Sequence, residues 1–177
     1  MIKQVAKAYG FALFEIAREN NKTKVFYKTI VSLLKIIDSN YLEFINSSFL
    51  SKEQKEKFLE KAFKNRIDED FYYFLIILMK SNKFLCLTEI LNHFLHEYYE
   101  ANDVYVGHMY VAYEITEKRQ KEIEKAVSER FRKQIHLIPH IDLSIIGGIR
   151  VVIKDVVLDY TISNKINSIH TELLRKD

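Results

Sequence analysis

His93, His96 and Glu97 stand at helical spacings that could offer metal ligands. A structural zinc site needs four, usually completed by cysteine or further histidine. Cys86 is two turns away and no other donor is placed to close the site, so the trio reads as a partly exposed helix face. Gly147-Gly148 invites a phosphate-binding reading. It lacks both the third glycine of a dinucleotide fingerprint and the Gly-Lys-Ser/Thr of a P-loop, and a strand rather than a helix follows it. A tight turn or a close backbone approach explains the pair better. Cys86 lies in an apolar segment, where a thiol behaves as a small hydrophobe. His136 and His140 flank Pro139, but no Ser or Cys is tied to them by a motif. Asp155 and Asp159 could pair as carboxylates, yet turn and helix-start roles account for both. The residues predict no catalytic group, no metal and no cofactor.

The elements that carry these residues change character once. Val5, Tyr9, Ala12, Leu13 and Ile16 recur at helical spacing, predicting a helix over about 3–19 that ends at Asn20-Asn21. A second helix runs from about Lys24 to Asp38, and a short third covers Tyr41 to Ile45. Ser51-Lys52-Glu53-Gln54 has the form of a capping box and should start a fourth. Asp68 caps a fifth, apolar all round from Phe71 to Met79, and a sixth spans about Leu85 to Glu100. Beyond Asn102-Asp103 the pattern becomes strand (Val104 to Tyr113), helix (Thr116 to Lys133) and strand (Ile135 to Ile141). Pro139 suits an edge or a bulge. Ile149, Val151 and Ile153 alternate with polar residues, Val156 to Leu158 follows a turn at Lys154-Asp155, and a closing helix carries Ile162, Ile166, Ile169 and Leu173. The expected class is α+β: an N-terminal six-helix bundle over 1–102, then a small mixed α/β domain over 103–177.

Composition narrows the partners. The net charge of +3 and pI near 8.8 raise the possibility of nucleic acid, here an RNA- or ribosome-associated helical protein. Positive charge is interleaved with negative, however: residues 1–102 hold 15 basic and 13 acidic side chains, residues 103–177 hold 12 and 11. A phosphate-binding surface needs a basic stripe. Lys118-Arg119-Gln120-Lys121 is followed by Glu122 and Glu124 and reads as a solvated helix face, with Glu117 and Lys121 spaced for an i,i+4 pair. The longest apolar run, Phe71 to Met79, is nine residues, against the roughly 18 needed to span a bilayer. Glu15 and Arg18 interrupt the N-terminal segment before a secretory apolar region develops, and a lone cysteine suits a reducing compartment. A soluble chain is expected, reaching a membrane only through a partner.

The first and fifth helices carry more apolar surface than one core face needs. Either they are wholly buried or they form a groove for an amphipathic helix of another protein. A resemblance bears on that choice. Ala6-Lys7-Ala8-Tyr9-Gly10-Phe11-Ala12-Leu13-Phe14, Phe74-Leu75-Ile76-Ile77-Leu78-Met79-Lys80-Ser81-Asn82, and Ile141 to Ile153 with Asp155 to Thr161 are similar, in order and spacing, to segments of the delta subunit family of F-type ATP synthase. That family includes the mitochondrial oligomycin-sensitivity-conferring protein. Two positions depart: the family has Gly where Lys154 stands and Asp-Gly-Ser where Asp159-Tyr160-Thr161 stands, although Thr161 can cap a helix as Ser would.

The resemblance implies a non-catalytic stator subunit of the peripheral stalk. It would join the alpha/beta hexamer to the b subunits so that proton flow drives ATP synthesis, as one copy per complex on the cytoplasmic face of the cell membrane. It further implies that Tyr9, Ala12, Leu13, Leu75, Leu78 and Met79 line a groove for the N-terminal helix of an alpha subunit. Gly147, Gly148, Ile149, Asp159, Ile162, Ile166, Ile169 and Leu173 would belong to the b-binding region. The rival readings are the RNA-associated protein and a small enzyme with an unrecognised polar pocket.

Overall fold

The computed structural model describes residues 2–37, 39–47 and 49–174. The chain folds as two compact units, 1–98 and 99–177. The first contains α1 (Ile2–Glu19), α2 (Thr23–Ile36), α3 (Ser39–Asn46), α4 (Lys52–Phe63), α5 (Glu69–Lys80), a 3-10 turn (Phe84–Cys86) and most of α6 (Leu87–Ala101). The second contains β1 (Val104–Val111), α7 (Glu117–Phe131), β2 (Gln134–Ile141), β3 (Ile149–Ile153), β4 (Val156–Asp159) and α8 (Ile162–Leu174). The fold class is α+β.

Local signals set the helix ends. The Ser51 hydroxyl accepts from the Gln54 N–H while the Gln54 side chain accepts from the Ser51 N–H, completing the capping box of α4. Asp68 accepts from the Asp70 N–H and starts α5. With only four glycines in the chain, asparagine takes the left-handed position that ends a helix. Asn21, Asn65 and Asn82 have φ of 55°, 64° and 54° just beyond α1, α4 and α5. After Asn21 the turn is locked to α5, because the Lys22 ammonium reaches both Asp70 (2.6 Å) and Asp68 (3.0 Å).

The first unit packs around rings. Phe26, Phe71, Phe84 and Phe94 are fully buried, and Phe26 meets Phe71 edge-on at 5.3 Å. Gly10 lets α1 and α6 cross closely. A Cβ there would lie 2.6 Å from the His93 Cβ and 2.8 Å from the Ile90 carbonyl oxygen.

In the second unit the sheet order is β2-β1-β3-β4, with β1 and β2 parallel and the other pairs antiparallel. Pro139 does lie on an edge strand, where a missing N–H costs least. Val127, with half-buried Ile123 and Phe131, packs α7 on Met109, Leu137 and Val151. The solvated-face reading of α7 holds for Lys118, Arg119, Lys121 and Glu122, which are exposed, but not for Gln120 and Glu124. Gln120 donates to the Leu137 carbonyl (2.7 Å), Glu124 accepts from the Leu137 N–H (2.8 Å) and Ser128 accepts from the Ile135 N–H (3.0 Å). These three residues, four apart on one helix, satisfy the outer edge of β2, which would otherwise offer unpaired backbone to another strand. Burial alone would raise the Glu124 carboxyl. Hydrogen bonds from His136, the Leu137 amide and Gln120 outweigh it and hold the group below the usual range.

Candidate functional site: two partner-binding surfaces

The six groove residues separate by burial. Tyr9 is half-buried with its ring edge-on to Phe74 at 6.4 Å, and Ala12 is exposed. Leu13, Leu75 and Leu78 are fully buried and Met79 nearly so. Those four belong to the internal core of their own unit, so an incoming helix cannot touch them without opening it. Nor is α5 buried on every side, one of the two alternatives that its all-round apolar character leaves open: Tyr73 and Ile77 are 55% and 56% exposed. Residues 73 and 77 are one helical turn apart and share a face. On α1 the outward apolar residues include Phe11, Ala12 and Ile16. Of the helical stripe read from the sequence only Leu13 is buried, with Val5 and Tyr9 half-buried and Ala12 and Ile16 exposed; the face of α1 that packs inward carries Ala6, Leu13, Phe14 and Ala17, with Phe14 against Phe94.

The glycine pair has a mechanical task in the second unit. Gly148 has φ of +84°, and a Cβ there would lie 2.2 Å from the Tyr160 carbonyl oxygen. The close approach is held by two backbone bonds, Tyr160 N–H to the Ile149 carbonyl (2.9 Å) and Ile162 N–H to the Gly147 carbonyl (3.0 Å). Asp159 accepts from the amide (2.9 Å) and hydroxyl (2.7 Å) of Thr161, and the Thr161 oxygen accepts from the Asn164 N–H (3.2 Å). Thr161 therefore caps α8, as its type predicts. The hydroxyl and amide of Thr161, with help from Arg150, hold the Asp159 carboxyl below the usual range. The Ser144 hydroxyl and amide, again with Arg150, do the same for Asp142 in the preceding loop. Together the signature residues dock the start of α8 onto the start of β3.

The two absent glycines differ in consequence. Lys154 keeps the left-handed conformation, φ 51°, that a glycine would take without strain, whereas Tyr160 is not among the positive-φ residues. Beyond Thr161 the helix stands in solvent. Ile162, Ile166, Ile169 and Leu173 are 48%, 60%, 51% and 64% exposed, and residues 162–173 are all exposed. An open cleft of about 420 Å³ lies beside Gly148, lined among others by Tyr113, Ile115, Ile123, Ile149 and Tyr160. Nothing in the sequence pattern marks it, because it forms where the end of β1 meets the start of α7.

The residues weighed for chemistry are scattered. His93 packs over Gly10, Cys86 is buried, His136 meets Glu124 at 3.0 Å, and His140 lies 2.9 Å from His108. No group of three His, Cys, Asp or Glu among the described residues is placed to hold a metal ion. Among the described residues no helix is long and apolar enough to cross a membrane.

Comparison with known proteins agrees over nearly the whole length. The profile of the family described as ATP synthase delta (OSCP) subunit matches residues 5–173. The ATP synthase subunit delta of Lachnoclostridium phytofermentans is 30% identical over 99% of this chain and 98% of its own. That of Mycoplasma mobile is 30% identical over 100% and 99%. In fold, the chain is similar to one from the Toxoplasma gondii mitochondrial ATP synthase hexamer, with a TM-score of 0.63, 21% identity and coverage of 96% and 97%. The chain belongs to the ATP synthase delta (OSCP) subunit family.

Proposed function

We propose that the chain is a two-ended clamp. Its N-terminal six-helix bundle, residues 1–102, grips the N-terminal helix of an alpha subunit against the beta-containing hexamer, and residues 103–177 grip the b subunits. As a member of its family the chain is a non-catalytic stator subunit of the peripheral stalk of ATP synthase. It resists rotation of the catalytic head so that proton flow drives ATP synthesis. The basic RNA-binding alternative is not supported by these relatives. One copy per complex at the cytoplasmic face of the cell membrane fits this role.

The observation that carries the reading is α8, whose apolar stripe stays about half or more in water although Ile162 rests on Gly147 at its start. Exposed apolar rows of this kind mark protein interaction sites. At the other end, the burial of Leu13, Leu75, Leu78 and Met79 moves the alpha-binding contact outward to Phe11, Ala12, Ile16, Tyr73 and Ile77, with Tyr9 at its margin. The buried four act as the support that holds those outer residues in place.

Calorimetry of the full chain with a peptide of the alpha subunit's N-terminal helix tests the first end. Ile77→Asp should weaken binding by about 2 kcal/mol, since a charge in a dry contact is desolvated without a partner. Lys57→Glu on α4 should leave it unchanged. Equal affinity of Ile77→Asp and the parent would sink the outward-face assignment. Recovery of the chain from native membranes without alpha, beta or b subunits would sink the role.

A further inference from the structure

We infer that His108 and His140 form a two-histidine site for a borderline divalent cation such as zinc, nickel or copper(II). The two rings come from adjacent parallel strands. Tyr110 of β1 pairs with His140 of β2, so His108 stands two residues away along the same face, opposite the buried Met109 and Leu137. The His108 Nδ1 lies 2.9 Å from the His140 Nε2. A zinc–imidazole bond is about 2.0–2.1 Å long, and two of them meeting between a right angle and the tetrahedral angle put their nitrogens about 2.9–3.4 Å apart. The pair is thus already spaced as two neighbouring ligands of one ion. Without an ion, one ring donates a hydrogen bond to the other. To bind one, the donor ring moves its hydrogen to its other nitrogen, and both rings turn until their lone pairs meet off the line between them. Both side chains are exposed, which lets them turn and lets the ion bring its own water.

The surroundings suit such a cation. Tyr110 stacks on the His140 ring at 5.3 Å and limits its tilt. The Arg150 guanidinium lies 5.3 Å from the centre of the Tyr110 ring, but Asp142 pairs with it at 2.9 Å and offsets its charge. Imidazole nitrogens suit zinc, nickel and copper, whereas magnesium and calcium take oxygen ligands. Among the described residues no third His, Cys, Asp or Glu joins the pair, so water fills the other positions. The site is therefore open, unlike the closed four-ligand sites of structural zinc. Its place in the sheet gives it a task. Helix α7 holds β2 at Ile135 and Leu137, through Ser128, Glu124 and Gln120. Residues 138–141 are exposed and include Pro139, which has no N–H to give. An ion shared by His108 and His140 ties this uncovered half of β2 to β1. No local spacing marks the site, because its ligands stand 32 residues apart in the chain.

The test titrates the full untagged chain with zinc by calorimetry and follows the histidine ring signals by NMR. One equivalent is expected, with the signals of His108 and His140 moving and those of His93, His96, His136 and His170 unchanged. Nickel should compete for the site and magnesium should not. His108→Gln and His140→Gln should each weaken zinc at least about tenfold, since each removes one of two protein ligands. Both positions are exposed, so the variants should melt as the parent does without metal. With zinc present, the urea midpoint should rise in the parent and not in His140→Gln. His96→Gln, on the α6 face that carries the other close histidine pair, should bind zinc as the parent does. Parent-like affinity in both His108→Gln and His140→Gln would overturn the site. So would binding that is lost in His96→Gln, which would move the ion to α6. Ring signals of His108 and His140 that ignore zinc would leave only a cross-strand hydrogen bond and overturn it as well.

Discussion

Helices α5 and α8 differ by one residue in length, and each carries a strong apolar periodicity. Their fates are opposite. In α5 six residues are buried (Phe71, Phe74, Leu75, Ile76, Leu78 and Met79), while the stripe of α8 stays about half or more in water. Phenylalanine and tyrosine on the other helices of its unit enclose α5, as in the contacts of Phe26 with Phe71 and Tyr9 with Phe74. Among the described residues nothing comparable faces α8, which is held at its first turn by Gly147, Ile149 and Asp159. Apolar periodicity specifies that a face will be covered. Only packing specifies whether the cover belongs to the same chain.

The largest predicted effect breaks this comparison directly. Leu78→Asp places a carboxylate in a fully buried position with no partner built for it, and should destabilise the first unit by about 4 kcal/mol or more. The same change at Ile166 should leave stability within about 0.5 kcal/mol of the parent, because that side chain is already in water. Urea denaturation of the two variants decides the matter. Similar losses in both would mean that α8 is covered within the chain after all.

Next in size is Gly148→Ala. The new methyl meets the Tyr160 carbonyl, and the backbone has to leave φ of +84°, so a loss of about 2–3 kcal/mol is expected in the second unit. Gly10→Val should be comparable in the first, since its branches meet the backbone of α6. Proton–deuterium exchange would localise each loss to one unit. Spread across both units, it would count against two compact units.

How much of this was legible depends on the range of the interaction. The Ser51 box, the Asp68 and Thr161 caps, the asparagine at the end of α1 and the edge position of Pro139 act within a few residues, and the sequence pattern carries them. The neighbours Ile77 and Leu78 are nearly the same chemically, yet one is 56% exposed and the other fully buried. That choice depends on which helices arrive from elsewhere, and no local pattern distinguishes the pair. The role of Gln120, Glu124 and Ser128 is hidden for the same reason, because the backbone they satisfy lies on β2. The stripe of α8 is legible because beyond Ile162, which rests on Gly147, its residues stay about half or more in water.

A smaller, pH-dependent effect sharpens the picture of how α8 is held. The Thr161 hydroxyl and amide lower the Asp159 carboxyl, and those of Ser144 lower Asp142, below the usual 3.8. A depressed carboxyl stabilises the folded state fully above the unfolded value and loses that contribution as pH falls through its lower folded value. Protection of the Asn164 amide should therefore be constant from neutral pH to about 4 and fall below that. In Asp159→Asn the step should be reduced. A step centred near pH 6 instead would point to a histidine and refute this cause.

The smallest effect concerns the turn at Lys154. Its left-handed φ of 51° costs a non-glycine residue about 1 kcal/mol. Its ammonium, however, lies 4.1 Å from the centre of the Tyr105 ring, and a contact of this kind contributes about 0.5–1 kcal/mol. Lys154→Gly should therefore be close to neutral, the relief of strain offset by the lost contact. In a Tyr105→Leu background there is no ring to lose, and the same substitution should stabilise the second unit by about 0.5–1 kcal/mol. The double-mutant cycle separates strain from attraction, which neither single change does. If Lys154→Gly were neutral in both backgrounds, the left-handed turn would carry no strain.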